Sequence, residues 1–139
     1  MPKLALLTIA AFVAVIASII IWFAIDDYRY FSLSPAARAE RSPLIVYAVV
    51  NRDALPTTFV IREVWKDKRK SHSPVIGVQL WISGVQSNQF PDAAVVFFER
   101  KFFDSHHLVP RCYDFVKKGR IEDLTESMTL EQYKKACGL

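Results

Sequence analysis

The hydrophobic positions of this chain begin with one long uninterrupted run and then break into short runs separated by charged and turn-forming residues. The long run extends from Leu4 to Ile25 and contains no charged residue; Thr8 and Ser18 are its polar residues. At about 1.5 Å of rise per residue, a helix of this length spans roughly 33 Å, which is enough to cross a hydrocarbon core of about 30 Å. The pattern therefore predicts one transmembrane helix, and residues 1–27 are interpreted as a transmembrane signal anchor.

The residues around the run bear on cleavage and on orientation. Cleavage is not expected, because the apolar run is longer than the h-region of about 7–15 residues in a signal peptide. Lys3 before the run and Asp26-Asp27 after it favour a C-terminal domain outside the cytosol. A count of the basic residues that follow the run favours the reverse orientation; these residues are Arg29, Arg38 and Arg41. We interpret the chain as a single-pass protein of a bacterial inner membrane with a periplasmic domain, and a mitochondrial inner membrane is the alternative.

One face of the predicted helix carries a stripe of small residues. Ala10, Ala14 and Ser18 are spaced four residues apart, the pattern that lets two helix backbones approach each other closely in lipid. The stripe is therefore a candidate surface for packing against another membrane helix. The alternative is that these residues only fill an alanine-rich span.

The shorter runs after the anchor predict one small domain. Residues 28–42 are interpreted as a juxtamembrane linker, in which Ser34 and Pro35 are typical of the N-cap and the first position of a short helix. Leu44 to Val50 is a continuous apolar run, which suits a strand that is buried on both faces. The folded domain is therefore expected to span residues 43–139 and to lie outside the cytoplasm.

Residues 57–70 carry two conflicting signals. Their valine, isoleucine, threonine and aromatic residues favour a strand. Apolar and charged residues nevertheless alternate in pairs, as at Val60-Ile61 and Val64-Trp65, which is the helical period. We therefore predict a helix, with a strand as the alternative. The end of this segment is the densest basic cluster of the chain, with the members Lys66, Lys68, Arg69 and Lys70. It is a candidate contact for lipid phosphates or an acidic partner. The alternative is a solvated helix end.

Two further segments are predicted as strands. Val75 to Ser83 alternates apolar and polar residues, and Ala93 to Phe98 is a second apolar run. Turn-forming residues fill Gly84 to Asp92 between them. We expect these two strands to pair as an antiparallel hairpin with a long loop.

The C-terminus carries a complete set of helix-boundary residues. Thr129 and Gln132 have the spacing of a capping box, and Gly138 stands where a C′ glycine belongs, so a helix is predicted over Leu130 to Ala136. The predicted fold class is α+β: one transmembrane helix, then a domain of three or four mostly antiparallel strands with one or two helices. If residues 57–66 form a strand, the alternative is an all-β sandwich.

The chain has two cysteines, Cys112 and Cys137, and they lack the spacing of a redox motif or a zinc site. Cys137 would lie on the inner face of the C-terminal helix, and we predict a disulfide bond between the two residues. The alternative is a pair of buried free thiols, which is the expected state in a reducing cytosol.

Charge and motifs exclude several kinds of function. The 139-residue chain has a net charge of only +4. This charge is too small for the concentrated basic face that a nucleic-acid-binding protein presents. No Gly-rich phosphate loop or hydrolase motif is present. Four residues in one stretch are of types that bind metals, but their spacing matches no standard site, so neither a metal nor a cofactor is predicted; these residues are Asp104, His106, His107 and Cys112.

Together these features predict a non-catalytic accessory or structural subunit of a membrane protein complex. The expected partners are the lipid bilayer and other membrane protein subunits, with no evident small-molecule substrate. The alternative is a membrane-anchored binding module, of the inhibitor or immunity type, that captures a soluble partner outside the membrane. An enzyme is not predicted, because no convergent set of polar residues defines a catalytic site.

Overall fold

The computed structural model describes residues 2–54, 56–70, 73–82, 91–101, 103–121 and 126–139. The chain divides into two compact units, Met1–Leu33 and Ser34–Leu139. The first unit consists mainly of one helix, α1 (Pro2–Phe31). The second contains an antiparallel sheet and two short helices, α2 (Pro35–Arg41) and α3 (Leu130–Ala136).

Helix α1 confirms the predicted apolar helix and continues beyond Ile25 to Phe31. It is long and apolar enough to cross a membrane, and its most apolar window has no buried residue. The two polar side chains within the apolar run are hydrogen-bonded inside the helix: Thr8 donates to the Leu4 carbonyl at 2.9 Å, and Ser18 donates to the Ala14 carbonyl at 2.8 Å. Because these hydroxyls have partners, neither of them needs water as a hydrogen-bond partner in a lipid environment.

Seven strands form one sheet within the described residues, in the order β3-β2-β1-β4-β5-β6-β7, and every neighbouring pair is antiparallel. The α+β class is therefore confirmed, with more strands than the three or four predicted, and the single sheet with helices differs from the all-β alternative. The strands are β1 (Leu44–Asn51), β2 (Thr58–Asp67), β3 (Gln79–Leu80), β4 (Ala93–Lys101), β5 (Asp104–Lys117), β6 (Arg120–Ile121) and β7 (Met128–Thr129).

The helix predicted over residues 57–70 is wrong, because this segment forms β2. The pairing of β2 with β1 skips Arg62 and then Trp65, so that two register shifts interrupt the ladder. Each extra residue in a β-bulge moves the following side chains to the opposite face. Phe59 and Ile61 therefore share a face with Val64, three residues further on, and this spacing imitates a helix in the sequence.

The predicted hairpin is also wrong. Among the described residues of this segment, 75–82, only Gln79–Leu80 is a strand, and it pairs with β2 rather than with β4. A turn precedes it, in which Val78 N donates to the Val75 carbonyl at 3.0 Å and Gly77 has a φ of +88°, a backbone conformation that favours glycine. The strand predicted at Ala93 to Phe98 is confirmed as part of β4, which pairs with β1 and β5. Residues 84–90, which make up most of the predicted loop, lie outside the described residues, as does Ser83 at the end of the first predicted strand.

The sheet curls around one of its faces. Phe59 on β2 and Phe115 on β5 are three strand spacings apart, about 14 Å in a flat sheet. Their ring centroids nevertheless lie 6.4 Å from each other. The concave face encloses the main hydrophobic cluster, whose buried members are Leu44, Val46, Ala48, Phe59, Ile61, Ile82, Ala94, Val96 and Phe98.

The opposite face of the sheet is covered by α2 and α3. Ser34 caps α2 by accepting a hydrogen bond from Ala37 N at 3.3 Å, and the predicted capping box of α3 is confirmed, with Thr129 Oγ1 accepting from Gln132 N at 3.2 Å. Gly138 follows α3 with a φ of +77°. Helix α2 contacts both α3 and β4. The predicted linker, residues 28–42, therefore contributes a helix to the folded domain, which begins near Ser34.

Candidate functional site

A buried ion pair joins α2 to the sheet. Arg38 donates from Nη1 to Asp114 Oδ2 over 2.8 Å, and the two residues are 5% and 6% exposed. The Arg38 guanidinium also lies 5.9 Å from the centre of the Phe97 ring and 3.5 Å, through Nη1, from the Cys112 sulfur. Burial is the largest single effect and lowers the pKa of Arg38, but the attraction of Asp114 and its hydrogen bond, together with the contributions of Cys112 and Tyr133, raise the pKa overall.

Helix α3 completes this cluster. The Tyr133 hydroxyl donates to the same oxygen of Asp114, and burial followed by the Asp114 charge raises the pKa of the phenol. Burial likewise raises the pKa values of Cys112 and Cys137 to about 11. Both thiols are therefore protonated near neutral pH and are poor nucleophiles. The cluster fastens two helices to one strand and is suited to a structural role.

The sequence contains little that would predict this buried cluster. Arg38, Asp114 and Tyr133 are separated by 76 and 19 positions, so no local spacing connects them. The one local signal is Asp114 itself, a carboxylate in the middle of an otherwise apolar part of β5. A buried charge in a strand requires a partner, and that requirement points to a basic residue elsewhere in the chain.

The structure holds Cys112 and Cys137 as buried free thiols. The charges of Arg38 and Asp114 affect the pKa values of both thiols. The fold therefore brings the two cysteines to one cluster, although 25 positions separate them in the sequence. The disulfide stays a prediction. It would close a loop for which the chain-entropy relation gives about 3.5 kcal/mol of stabilisation.

We expect protein isolated with its domain in an oxidising compartment to contain this bond. The protein is denatured immediately after lysis and treated with iodoacetamide, with and without prior reduction. Peptides containing Cys112 and Cys137 are then quantified by mass spectrometry, and we expect alkylation only after reduction. Denaturation is needed because burial alone protects both thiols in the folded domain.

Full alkylation without reductant would contradict the bond and would favour a cytosolic domain. The pH dependence of stability distinguishes the same two states. For free thiols whose pKa is about 11 in the folded domain and ordinarily 9.0, the stabilisation is complete below pH 9 and is lost as the pH rises through 11. The oxidised domain lacks these titrating protons and should not show this part of the loss.

A second site, which we call the basic cleft, opens at one end of the sheet. It lies where β1 and β5 begin and where β2 and β4 end, and it has a volume of about 490 Å³, within the range of small-molecule sites. Its floor is apolar and consists of Pro43, Leu44, Val75, Phe98 and Leu108. The basic and imidazole side chains around this floor are Lys68, Arg69, Lys70, Arg100, His106 and His107.

The basic side chains of the cleft differ in how they are held. Asp67 accepts two hydrogen bonds from Arg69, at 2.9 Å from Nε and 2.8 Å from Nη2, and these bonds are the main cause that raises the pKa of Arg69. Arg69 also donates to the Ser73 carbonyl at 2.9 Å. The side chains of Lys68, Lys70 and Arg100 are exposed. The cleft therefore presents three exposed cations beside one fixed guanidinium, and no carboxylate belongs to its described lining.

Lys66, the fourth member of the basic cluster predicted from the sequence, does not lie in the cleft. Its ammonium group donates to the Ala39 carbonyl and, at 3.4 Å, to the Glu40 carbonyl in the last turn of α2. These carbonyls lack partners within a helix, and a cation satisfies them and complements the helix dipole. Burial, with a further contribution from Lys68, lowers the pKa of Lys66. Lys66 is therefore a capping residue of α2 and does not line the cleft.

Of the four residues considered as metal ligands, Asp104 contacts both histidines, but Cys112 does not join them. His107 Nδ1 contacts Asp104 Oδ2, and the His106 amide donates to Asp104 Oδ1 at 2.9 Å. Cys112 is buried beside Arg38 instead. Over the part of the chain that the structure describes, no group of three metal-ligating side chains converges. The two histidines belong to the cleft, a role that their spacing alone did not indicate.

Aromatic residues near the cleft divide between core and surface. Phe97 and Phe98 are buried, whereas Phe103 at the turn between β4 and β5 is 89% exposed; Phe102 lies outside the described residues. Exposed apolar side chains also follow Val75, namely Ile76 and Val78. These exposed apolar residues are therefore close in the sequence to the cationic residues of the cleft.

Comparison of the chain with protein-family models, with curated proteins and with solved structures finds no match.

Proposed function

We propose that this protein is a non-catalytic, single-pass accessory or structural subunit of a membrane protein complex. In this proposal α1 is an uncleaved anchor in a bacterial inner membrane, and the folded domain lies in the periplasm. A mitochondrial inner membrane would place the same architecture in an equivalent setting. The expected partners are the bilayer and other membrane subunits.

The exposed apolar surface of α1 is the observation that carries this proposal. Every residue from Pro2 to Ile25 is exposed, although most of them are large and hydrophobic. A continuous apolar surface of this kind marks a contact with lipid or with another protein. The in-helix hydrogen bonds of Thr8 and Ser18 suit both environments, because neither hydroxyl needs water as a partner.

The folded domain supports the same proposal because both faces of its sheet are already covered. The concave face of the sheet has a buried cluster, and the opposite face is covered by α2 and α3. This domain therefore has a core of its own, and in this proposal the apolar surface of α1 contacts lipid and partner helices. An anchor joined to a self-contained domain is the arrangement expected of a subunit that positions or stabilises larger neighbours.

The second candidate is a membrane-anchored binding module that captures a soluble partner. The basic cleft favours it, because a concave site with cations and an apolar floor is suited to recognition. Affinity purification of the full-length protein in mild detergent separates the two proposals. A stoichiometric integral membrane partner supports the subunit, and a soluble partner supports the binding module.

We expect Ala14→Leu to weaken the association of α1 with a partner helix. Ala10, Ala14 and Ser18 lie four residues apart on one face, and the Ser18 hydroxyl bonds back to the Ala14 carbonyl, which keeps the stripe shallow. A leucine side chain at its centre would hold two helix backbones apart. The measurement is the yield of the co-purified membrane partner, and we expect it to fall at least fivefold.

Ala5→Leu provides the matched control. It is the same substitution nine residues away, which places it on the opposite side of the helix at about 100° per residue. The control should leave the yield unchanged, and both variants should retain the circular dichroism of the wild-type domain. Equal yields from Ala14→Leu and wild type would show that the stripe only fills the span.

A further inference from the structure

The basic cleft combines two recognition elements that neither the membrane anchor nor a subunit role requires. Lys68, Lys70 and Arg100 supply exposed positive charge, and Arg69 is held in place by Asp67. Buried or half-buried apolar side chains form the floor beneath them. A site of this composition matches a ligand that is anionic at one end and apolar at the other.

The volume and the apolar lining of the cleft argue against a purely electrostatic surface patch. Leu44 and Phe98 on the floor are 3% and 7% exposed, and a volume of about 490 Å³ leaves room for an organic group as well as an anion. An apolar group that fills this floor is removed from water, which is favourable in proportion to the area buried. An inorganic anion gains only the electrostatic attraction of the cations and leaves the apolar floor of the cleft in contact with water.

The arrangement of the cations selects among anions. Arg69 is engaged by Asp67 and by the Ser73 carbonyl, so the carboxylate largely balances its charge and the exposed cations are left to bind an anion. The two lysines and Arg100 come from different strand ends and approach the cleft from β2 and β4. Several converging cations suit a phosphate group, which offers several acceptor oxygens and up to two negative charges, better than they suit a single carboxylate.

We propose that the basic cleft binds a phosphate ester that carries an apolar group. The apolar group packs on Leu44, Val75 and Phe98, and the phosphate is held by Lys68, Lys70 and Arg100. Two sources share this chemistry: a phospholipid of the bilayer and a soluble phosphate ester. The inference concerns the folded domain alone, so it does not depend on whether the protein is a subunit or a binding module.

The test is isothermal titration calorimetry of the full-length protein in maltoside micelles, which contain no phosphate ester, with protein-free micelles as the blank. The titrants are butyl phosphate, inorganic phosphate and butanol. We expect butyl phosphate to bind at least tenfold more tightly than inorganic phosphate, and butanol to give no signal. Equal affinity for the two phosphates would overturn the role of the apolar floor, and no binding of butyl phosphate would overturn the site.

Paired substitutions locate the binding. The double variant Lys68→Gln, Arg100→Gln should bind butyl phosphate at least tenfold more weakly than wild type. The control, Lys117→Gln with Arg62→Gln, removes the same charge from exposed residues that do not line the cleft. Equal losses in the two variants would attribute binding to overall charge and would contradict the proposal. The charge-conserving pair Lys68→Arg, Arg100→Lys should retain most of the affinity.

A third variant addresses the floor without touching the charges. Val75→Ser changes a half-buried residue at the edge of the cleft, and it should reduce the preference for butyl phosphate over inorganic phosphate. An unchanged preference would contradict packing of the apolar group in the cleft. A polyglutamate peptide that binds more tightly than butyl phosphate would also overturn the proposal, because it would assign the cleft to an acidic protein partner.

The source of the ligand is decided by repeating the titration in nanodiscs that contain phosphatidylglycerol. If the bilayer supplies the phosphate ester, the anionic lipid occupies the cleft and the apparent affinity for butyl phosphate falls. If the ligand is soluble, the affinity in these nanodiscs equals that in micelles once salt screens the charge of the lipid surface. Each outcome supports a phosphate-ester site and assigns it to one source.

Discussion

Replacing Arg38 with alanine is expected to destabilise the folded domain by about 3–5 kcal/mol, because the substitution leaves the buried carboxylate of Asp114 without its ionic partner. Net stabilities of single domains are only about 5–15 kcal/mol, so the variant should be close to unfolding at room temperature. The measurement is urea unfolding of the full-length protein in mild detergent, followed by near-ultraviolet circular dichroism.

Arg52→Ala is the matched control. Arg52 pairs with Asp92 at 3.4 Å, but the two side chains are 63% and 53% exposed. Water and salt screen such a pair, and its loss should cost at most about 1 kcal/mol. If Arg38→Ala costs no more than Arg52→Ala, the buried cluster does not hold α2 on the sheet.

A triple variant separates the pairing of the charges from the packing of the side chains. Arg38→Met, Asp114→Leu and Tyr133→Phe together remove both charges and the hydroxyl that donates to Asp114. Apolar replacements of similar volume avoid the cost of an unpaired buried charge. We therefore expect the triple variant to be more stable than Arg38→Ala alone, a comparison that the same urea titration provides.

Placing aspartates in the middle of α1 should abolish membrane insertion. Each aspartate at the centre of a spanning helix costs about 2.5–3.5 kcal/mol on insertion scales. The double variant Val13→Asp, Ile16→Asp should therefore be released from membranes by alkaline carbonate, whereas the wild type remains in the pellet. N-terminal sequencing of the pelleted wild type should begin at the start of α1, since cleavage is not expected.

The control for this experiment is Val13→Leu with Ile16→Leu, which changes the same positions and keeps them apolar. It should remain in the membrane pellet. Retention of the aspartate variant in the pellet would mean that α1 does not cross a bilayer, and its exposed apolar surface would then belong to a protein interface.

Local signals in the sequence were sufficient wherever neighbouring residues decide the structure. The apolar run predicted α1, Ser34 and Pro35 predicted α2, and Thr129 with Gln132 predicted α3 together with its capping box. In each case the hydrogen bonds that define the boundary join residues three or four positions apart. The continuous apolar run from Leu44 to Val50 likewise identified β1, the strand that has a partner on both sides.

Local signals failed where pairing with a distant strand decides the conformation. Residues 57–70 have the spacing of a helix, but the register of β2 against β1 requires extra residues at Arg62 and Trp65. Bulges are set by the partner strand and by which face is buried, and neither is visible within the segment itself. The segment near Gly77 failed for a related reason, because a turn there leaves only a short strand to pair with β2.

The sequence by itself thus determined an apolar helix, two capped helices, two central strands and a basic cluster. Only the tertiary structure decided what the basic cluster does: three of its members join Arg100 and two histidines in one cleft, and Lys66 caps α2 instead. The same is true of the pair formed by Arg38 and Asp114, which only the packing of α2 on β5 creates. The physical reason is that a curled antiparallel sheet brings together strand ends that are far apart in the chain, and no local spacing encodes such contacts.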